Sequence, residues 1–174
     1  TNTGSGKATV SIAEGAVATV KNGSIVGGTA YYNIEIKKGG TATFEDVTAT
    51  AGNTDSSMID NWGTLTIDSG SYTGGLNVVK SEEDSVLKIT GGTFTLTDTK
   101  GSAYTAVILT YGDTTISGGE FIQSVKEPKK WARPIVVMTG LVDGYPAVTK
   151  VTGGTFKNNA TESIFRGLGK ATSA

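Results

Sequence analysis

Apolar residues recur along this chain in short groups, separated by glycine, threonine and other turn-forming residues. One eight-residue unit appears as LTIDSGSY (65–72), LKITGGTF (87–94), TTISGGEF (114–121) and TKVTGGTF (149–156). In each copy an Ile or Val, a glycine and an aromatic residue keep the same spacing. Weaker copies are ATVKNGSI (18–25) and ATFEDVTA (42–49), and the second lacks the glycine. Self-similarity of this kind indicates a repeat protein.

Each repeat predicts three short β-strands. A second apolar group precedes the unit, as YNIEI (32–36), SSMID (56–60), LNVVK (76–80), TAVIL (105–109) and PIVVM (134–138). The β-branched content favours strands, and no long stretch keeps the period of an amphipathic helix. A repeat is therefore predicted as strand, turn, strand, glycine turn, and a third strand that ends in Phe or Tyr.

Strands this short bury an apolar face only if successive coils stack on each other. Stacking predicts a parallel β-helix of five to six coils, in which equivalent side chains form columns. The recurring apolar positions, here called anchors, are Val20, Phe44, Ile67, Ile89, Ile116 and Val151. The anchors from Phe44 to Val151 would form one inward column, and Tyr72, Phe94, Phe121 and Phe156 another. Gly70, Gly92, Gly119 and Gly154 would occupy a corner with positive φ. An antiparallel β-sandwich or barrel is the alternative, but it gives no reason for one unit to recur in phase.

The chain is long enough for one domain with a substantial core. We expect an N-terminal coil or cap at 1–29, regular coils at 30–121, a loop insertion at 122–148, and a last coil with the C-terminal end at 149–174. The pair Ile164-Phe165 would begin a further coil. Open solenoid ends expose strand edges, so we expect an oligomer or membership in a longer chain.

The composition excludes several chemistries. The chain has no Cys and no His, which removes disulfides, thiolate nucleophiles, Ser-His-Asp triads and imidazole metal ligands. A net charge of -1 argues against nucleic-acid partners, and the lack of a long apolar run argues against membrane insertion. We expect no cofactor and no metal, with the acidic run Glu82-Glu83-Asp84 held in solvent rather than on calcium.

The units ITGGTF, ISGGEF and VTGGTF, together with NWGTLTI and AVILTYGDTTI, resemble the repeats of right-handed parallel β-helix proteins of the pectin-lyase-like kind. They are most similar to the Gly-Gly-Thr-Phe repeat regions of surface proteins from Gram-positive gut bacteria and their phages. The resemblance covers residues 30–156 and extends weakly to residue 10. It implies a structural or adhesive module without catalytic activity, displayed on a virion, as a capsid decoration, tail fibre or tailspike, or on a bacterial cell surface. Its partners would be surface glycans or proteins of virion or cell-wall assembly.

A carbohydrate-active enzyme, either a polysaccharide lyase or a glycoside hydrolase, is the alternative function. Such an enzyme needs paired carboxyl groups, and Glu45, Asp60 and Asp68 are the candidates. Asp60 and Asp68 bracket the turn at Trp62, and Glu45 lies one coil from Asp68. Residues that follow an inward anchor point outward, so Glu45 and Asp68 also fit a solvated row of acids and hydroxyls. No catalytic motif of the family's enzymes matches this chain residue by residue.

Two groups of residues are candidates for binding. Trp62 and Tyr111 each stand five residues before an anchor, so they occupy one corner of their coils, with Asp84 between them. Their rings either stack on sugar faces or simply cover their turns. Separately, the long interval after Ile116 contains Lys129, Lys130, Trp131 and Arg133. A Trp flanked by cations is typical of a protein interface, so we expect residues 122–134 to contact a partner protein or an acidic glycan, although a loop folded back on the rod would have the same composition.

Overall fold

The computed structural model describes residues 6–28, 31–97, 105–124, 133–137, 147–158 and 165–167, with backbone alone at 133–137, 158 and 165–167. All regular structure in these ranges is β-strand. The strands before residue 75 are β1 (Val10–Ile12), β2 (Val17–Lys21), β3 (Ser24–Val26), β4 (Ile34–Ile36), β5 (Thr41–Glu45), β6 (Val47–Thr50), β7 (Ile59–Asn61), β8 (Thr64–Ile67) and β9 (Gly70–Thr73). The later ones are β10 (Val79–Ser81), β11 (Val86–Ile89), β12 (Thr93–Leu96), β13 (Ala106–Thr110), β14 (Asp113–Ile116), β15 (Glu120–Gln123), β16 (Arg133–Val137), β17 (Thr149–Val151), β18 (Thr155–Asn158) and β19 (Phe165–Gly167).

Every third strand joins the same sheet. Sheet 1 has the order β1-β4-β7-β10-β13-β16-β19, sheet 2 has β2-β5-β8-β11-β14-β17, and sheet 3 has β3-β6-β9-β12-β15-β18. All neighbouring pairs among these strands run parallel, as β4 with β7 and β11 with β14 illustrate. The molecule is therefore a parallel β-solenoid, as the repeats predict, and the antiparallel alternative is wrong. Most of its fully buried core lies in the four coils from β4 to β15.

The predicted columns are present. Adjacent strands of sheet 2 align the anchor residues Val20, Phe44, Ile67, Ile89, Ile116 and Val151. Sheet 3 aligns Tyr72, Phe94, Phe121 and Phe156, whose rings stack with centroids 5.0, 5.1 and 5.0 Å apart. Sheet 1 aligns a third apolar column, Ile34, Ile59, Val79, Ile108 and Ile135. The core is thus a set of ladders in which like residues meet coil after coil.

The glycine corner is also confirmed. Gly70, Gly92, Gly119 and Gly154 have φ of 118°, 98°, 104° and 113°. A Cβ at Gly70 would lie 2.2 Å from the carbonyl oxygen of Val47 in the preceding coil, so stacking itself excludes a side chain there. The two weaker copies turn differently, through Asn22 and Asp46 at φ 53° and 52°. Asn and Asp tolerate this left-handed conformation better than other residues with a side chain.

Two boundaries differ from the sequence prediction. The third strand of a coil continues past the aromatic residue, because its neighbour in the next coil offers further backbone groups to pair with, and β12 ends at Leu96. The interval 122–148 is not wholly a loop, since β15 extends to Gln123 and β16 belongs to sheet 1. Beyond it, Phe165 pairs with Ile135 and so begins the further coil that Ile164-Phe165 predicts.

Candidate functional site

The outer face of sheet 1 carries a row of charged side chains that is withdrawn from solvent. The charged members Glu35, Asp60 and Lys80 align in adjacent strands, the apolar Leu109 continues the row, and all four lie outside the main core. Asp60 is only 1% exposed. In sheet 2, β11 and β14 alternate between exposed and buried positions, whereas β4, β7 and β13 of sheet 1 are buried throughout. Sheet 1 is therefore covered on its outer face as well as on its core face.

A groove of about 230 Å³ opens on this face. It is lined by Tyr32, Asp55, Ser56, Ser57, Leu76, Asn77, Lys80, Leu109 and Tyr111. Asn77 fixes one wall, because its Nδ2 donates to Ser57 Oγ at 3.1 Å and its Oδ1 accepts the backbone N–H of Ala106 at 2.8 Å. Tyr111 packs against Leu109 and Ala106 and forms the opposite, apolar part. The groove therefore combines aromatic, hydroxyl and amide surfaces.

The turn segment 51–57 beside the groove is held by one amide side chain. Asn53 Nδ2 donates to the backbone carbonyls of Gly28 and Tyr31, at 3.2 and 3.0 Å. Its Oδ1 accepts the N–H groups of Asp55 and Ser56, at 3.0 and 2.9 Å. The Asn53 amide therefore forms hydrogen bonds with backbone groups of its own turn and of the preceding turn. These bonds hold the two turns against each other, as backbone pairing does for the strands.

Lys80 is the cation of the groove wall. Its ammonium forms an ion pair with Glu82 and lies 5.6 Å from the centre of the Tyr111 ring. Burial lowers the pKa of Lys80, but the hydrogen bond with Glu82 and the charges of Glu82 and Asp60 outweigh burial, and the net pKa is raised. Lys80 is therefore protonated throughout the physiological pH range, and its ammonium group is already paired with Glu82.

Asp60 lies next to Lys80, in the adjacent strand of sheet 1. Its Oδ2 accepts the indole N–H of Trp62 at 2.8 Å, while its buried Oδ1 has no hydrogen-bond partner among the residues whose side chains are described. Burial raises the pKa of Asp60 from 3.8 to about 7, and the charge of Glu82 adds to this effect. The bond from Trp62 and the charge of Lys80 act in the opposite direction. Asp60 consequently exchanges its proton near neutral pH.

Tyr32 shares this environment. Burial is the main reason that its pKa is raised, and the charge of Asp60 contributes in the same direction. The group therefore remains a phenol that can both donate and accept a hydrogen bond in the groove.

Of the candidate residues that the sequence predicts, Asp60 and Trp62 are in contact on this face, and Tyr111 lies on the same face two coils further along. Trp62, Glu82 and Tyr111 occupy equivalent places, since their N–H groups bond to the carbonyls that end the preceding strands of sheet 1. Glu82 rather than Asp84 thus separates the two rings, because the turn 82–85 is longer than the turn 62–63. The expectation that the acidic run is held in solvent is correct for Asp84, which is exposed, and wrong for Glu82, which is buried.

Glu45 and Asp68 do not belong to this cluster. Glu45 ends β5 and Asp68 follows β8, both at the outer face of sheet 2, and Glu45 pairs with Lys21 at 2.8 Å. Asp68 accepts a hydrogen bond from Thr90 Oγ1 at 2.7 Å. The three carboxylates considered for an enzyme are therefore divided between two sheets, and Glu45 and Asp68 fit the solvated row instead.

Sequence reasoning misses Tyr32, Glu35, Lys80 and Glu82. The available signal was the run AVIL (106–109), because consecutive apolar residues indicate a strand buried on both faces. It implies that sheet 1 is covered on both faces and that charged residues aligned with this strand are desolvated.

Of the residues predicted to contact a partner, Lys129, Lys130 and Trp131 lie outside the described residues. Arg133 opens β16, where its backbone aligns with that of Ala106.

The described ranges contain no metal-binding cluster and no membrane-spanning helix. No group of three or more acidic residues there is placed to hold a metal ion, and no helix there is long and apolar enough to cross a membrane.

Comparison of the chain with protein-family models, with curated proteins and with solved structures found no match. The function of this chain therefore has to be inferred from the geometry of the groove.

Proposed function

We propose that this protein is a non-catalytic, adhesive β-solenoid module that binds a glycan in the groove on sheet 1. The observation that carries the proposal is the composition of that groove, in which Tyr32 and Tyr111 stand beside Ser56, Ser57 and Lys80. Sugar rings offer C–H faces to aromatic rings and hydroxyls to polar groups. A small site with both surfaces suits such a ligand.

The stacked coils give this groove a rigid support. Each strand of sheet 1 is paired on both sides between β4 and β16, and the apolar residues behind it are fully buried at Ile34, Ile59, Val79 and Ile108. A preorganised site loses less conformational entropy on binding than a flexible one. Rigidity also suits a module that is displayed away from a surface. A virion or a bacterial cell surface is the setting proposed, with assembly proteins as further partners.

A glycan array with purified full-length chain tests the proposal. We expect at least one glycan to bind, and we expect Tyr111→Ala to weaken that binding by about tenfold or more, because it removes the apolar wall. Val86→Ala is the control, since Val86 is exposed on sheet 2. Thermal melting checks that both variants fold. An array without any bound glycan, or binding that is indifferent to Tyr111→Ala, contradicts the proposal.

A glycoside hydrolase is the second candidate, and the pKa of Asp60 favours it. A carboxyl group with a pKa of about 7 is suited to general acid catalysis. However, Asp60 is buried and is not among the residues that line the groove, which favours binding over catalysis. A reducing-sugar assay on the array's ligands separates the two functions. Release of reducing ends by the wild type, abolished in Asp60→Asn, would establish the enzyme.

A further inference from the structure

We infer that the glycan bound on this face is a β-1,4-linked chain that lies along the solenoid axis, with alternate sugar rings on Trp62 and Tyr111. This inference rests on the glycan-binding function proposed above and specifies the linkage of the ligand. It follows from the spacing of the two aromatic rings, from the direction in which each side chain is turned, and from the low surface between them.

The two aromatic rings are separated by two coils of the solenoid. Trp62 and Tyr111 occupy equivalent places after β7 and β13, and β10 lies between these strands in sheet 1. Two strand spacings amount to about 10 Å along the axis, which is the length of one disaccharide in an extended β-1,4-linked glycan. Each sugar of such a chain is turned over relative to its neighbours, so every second ring presents the same face. Trp62 and Tyr111 therefore match the repeat of this linkage.

Both side chains are turned in the same direction. The indole N–H of Trp62 donates to Asp60 Oδ2 at 2.8 Å, and the Tyr111 ring packs against Leu109. In each case the contact is with the residue two positions earlier in the chain, and Asp60 and Leu109 belong to one row of sheet 1. The spacing of the rings therefore follows the spacing of the strands. Trp62 is 42% exposed and Tyr111 lines the groove, so both rings are accessible to a ligand.

The surface between the two rings is low. Glu82 occupies the equivalent place after β10, and it is 6% exposed. Its ion pair with Lys80 holds the carboxylate against the sheet, so Glu82 does not stand between the rings as an obstacle. A middle sugar ring lies above this pair, where Lys80 lines the groove and can donate a hydrogen bond to a sugar hydroxyl.

Other linkages fit this arrangement poorly. An α-1,4-linked or β-1,3-linked chain of the same sugars curves, so it does not hold two equivalent ring faces on a straight line along the axis. Such a chain reaches one aromatic ring at a time. A β-1,4-linked chain reaches both, and the second contact is then made within the same complex at a smaller entropic cost.

Calorimetric titration of the full chain with oligosaccharides of known linkage tests the inference. The probes are cello-oligosaccharides and N-acetylchito-oligosaccharides, which are β-1,4-linked, together with α-1,4-linked malto-oligosaccharides and β-1,3-linked laminari-oligosaccharides. All four series are uncharged, so linkage is compared without a difference in charge. At equal length, we expect the better of the two β-1,4-linked series to bind about tenfold or more tightly than either of the others. This comparison uses the wild type alone.

Chain length tests the contribution of the second ring. A disaccharide reaches one ring and a trisaccharide reaches both, so we expect the affinity for the preferred series to rise about tenfold between these lengths. Trp62→Ala should remove this rise and leave the affinity for the disaccharide within about twofold of the wild type, because the groove at Tyr111 still holds it. Trp62→Phe keeps an aromatic ring and should retain most of the rise. Val86→Ala is the control, since Val86 has a similar exposure on sheet 2.

Three outcomes overturn the inference. Equal or tighter binding of malto-oligosaccharides or laminari-oligosaccharides by the wild type does so and leaves glycan binding intact. A rise in affinity with length that a folded Trp62→Ala preserves does so as well, and if this variant fails to fold, the comparison of linkages decides. If none of the four series binds, the inference fails, and the glycan array decides whether the proposed function fails with it.

Discussion

The outer faces of sheets 1 and 2 each carry a Lys–Glu ion pair, yet the two pairs differ in their exposure to solvent. On sheet 2, Lys21 and Glu45 form an ion pair whose side chains are 57% and 36% exposed. On sheet 1, Lys80 and Glu82 form an ion pair whose side chains are 26% and 8% exposed. Solvent screens the attraction within an exposed ion pair, whereas each charge of a buried pair needs the other to offset its loss of hydration. Burial of the outer face, rather than the type of residue on it, therefore distinguishes the candidate site on sheet 1 from the exposed charged residues on sheet 2.

The covering comes from unequal turns. Strands of sheet 2 pass to sheet 3 through one to three residues, with a single residue between β5 and β6. The connections from sheet 3 to sheet 1 are longer, and 51–58 and 74–78 supply residues that line the groove. Long turns on one edge of a solenoid thus convert one of three otherwise similar faces into a sheltered surface.

Removing the cation from each face gives the largest expected difference. Lys80→Met leaves the carboxylates of Asp60 and Glu82 buried without compensation, and should cost on the order of 3 kcal/mol of unfolding free energy at about pH 8. Lys21→Met removes an exposed pair and should cost less than about 1 kcal/mol. Urea denaturation measures both values. Equal costs for the two variants would refute the claim that covering separates the two faces.

A second, smaller effect concerns pH. The pKa of Asp60 is raised from 3.8 to about 7, so the folded protein binds a proton more tightly than the unfolded chain does. The resulting stability is complete at low pH and is lost as the pH rises through about 7. We expect the melting temperature of the wild type to fall between about pH 5 and pH 8, and Asp60→Asn to abolish most of that fall.

Asp68→Asn is the matched control, because it makes the same substitution on the exposed face of sheet 2. It should leave the fall in melting temperature in place. The chain has no histidine, so no imidazole group titrates between pH 5 and pH 8. A wild type whose melting temperature rises over the window would show that the sign assigned to Asp60 is wrong.

The sequence predicts the repeated part of the molecule well and the site only in part. Columns and glycine corners are predictable because the residue at Gly70 or Phe94 is dictated by an equivalent neighbour in the next coil. The groove depends on turns that do not repeat, so no periodicity reveals it. Glu82 illustrates the difficulty, since counting back from the anchor selects Asp84, and only the longer turn 82–85 moves Glu82 into the row.

The smallest expected effect tests the link between Trp62 and Asp60. The indole N–H bonds to Asp60 Oδ2 at 2.8 Å and lowers its pKa, against the dominant effect of burial. Trp62→Phe keeps an aromatic ring but removes the donor, so the pKa of Asp60 should rise further, by up to about one unit. The ¹³C chemical shift of the Asp60 carboxyl, followed by NMR against pH, reports the midpoint of its titration directly.

Tyr111→Phe is the control, because it removes a hydroxyl from the groove and leaves the Trp62–Asp60 hydrogen bond in place. The titration midpoint of Asp60 in this variant should match that of the wild type. A midpoint that Trp62→Phe leaves unchanged or lowers would mean that burial and the neighbouring charges alone set the proton affinity of Asp60, and that Trp62 is present for its exposed ring.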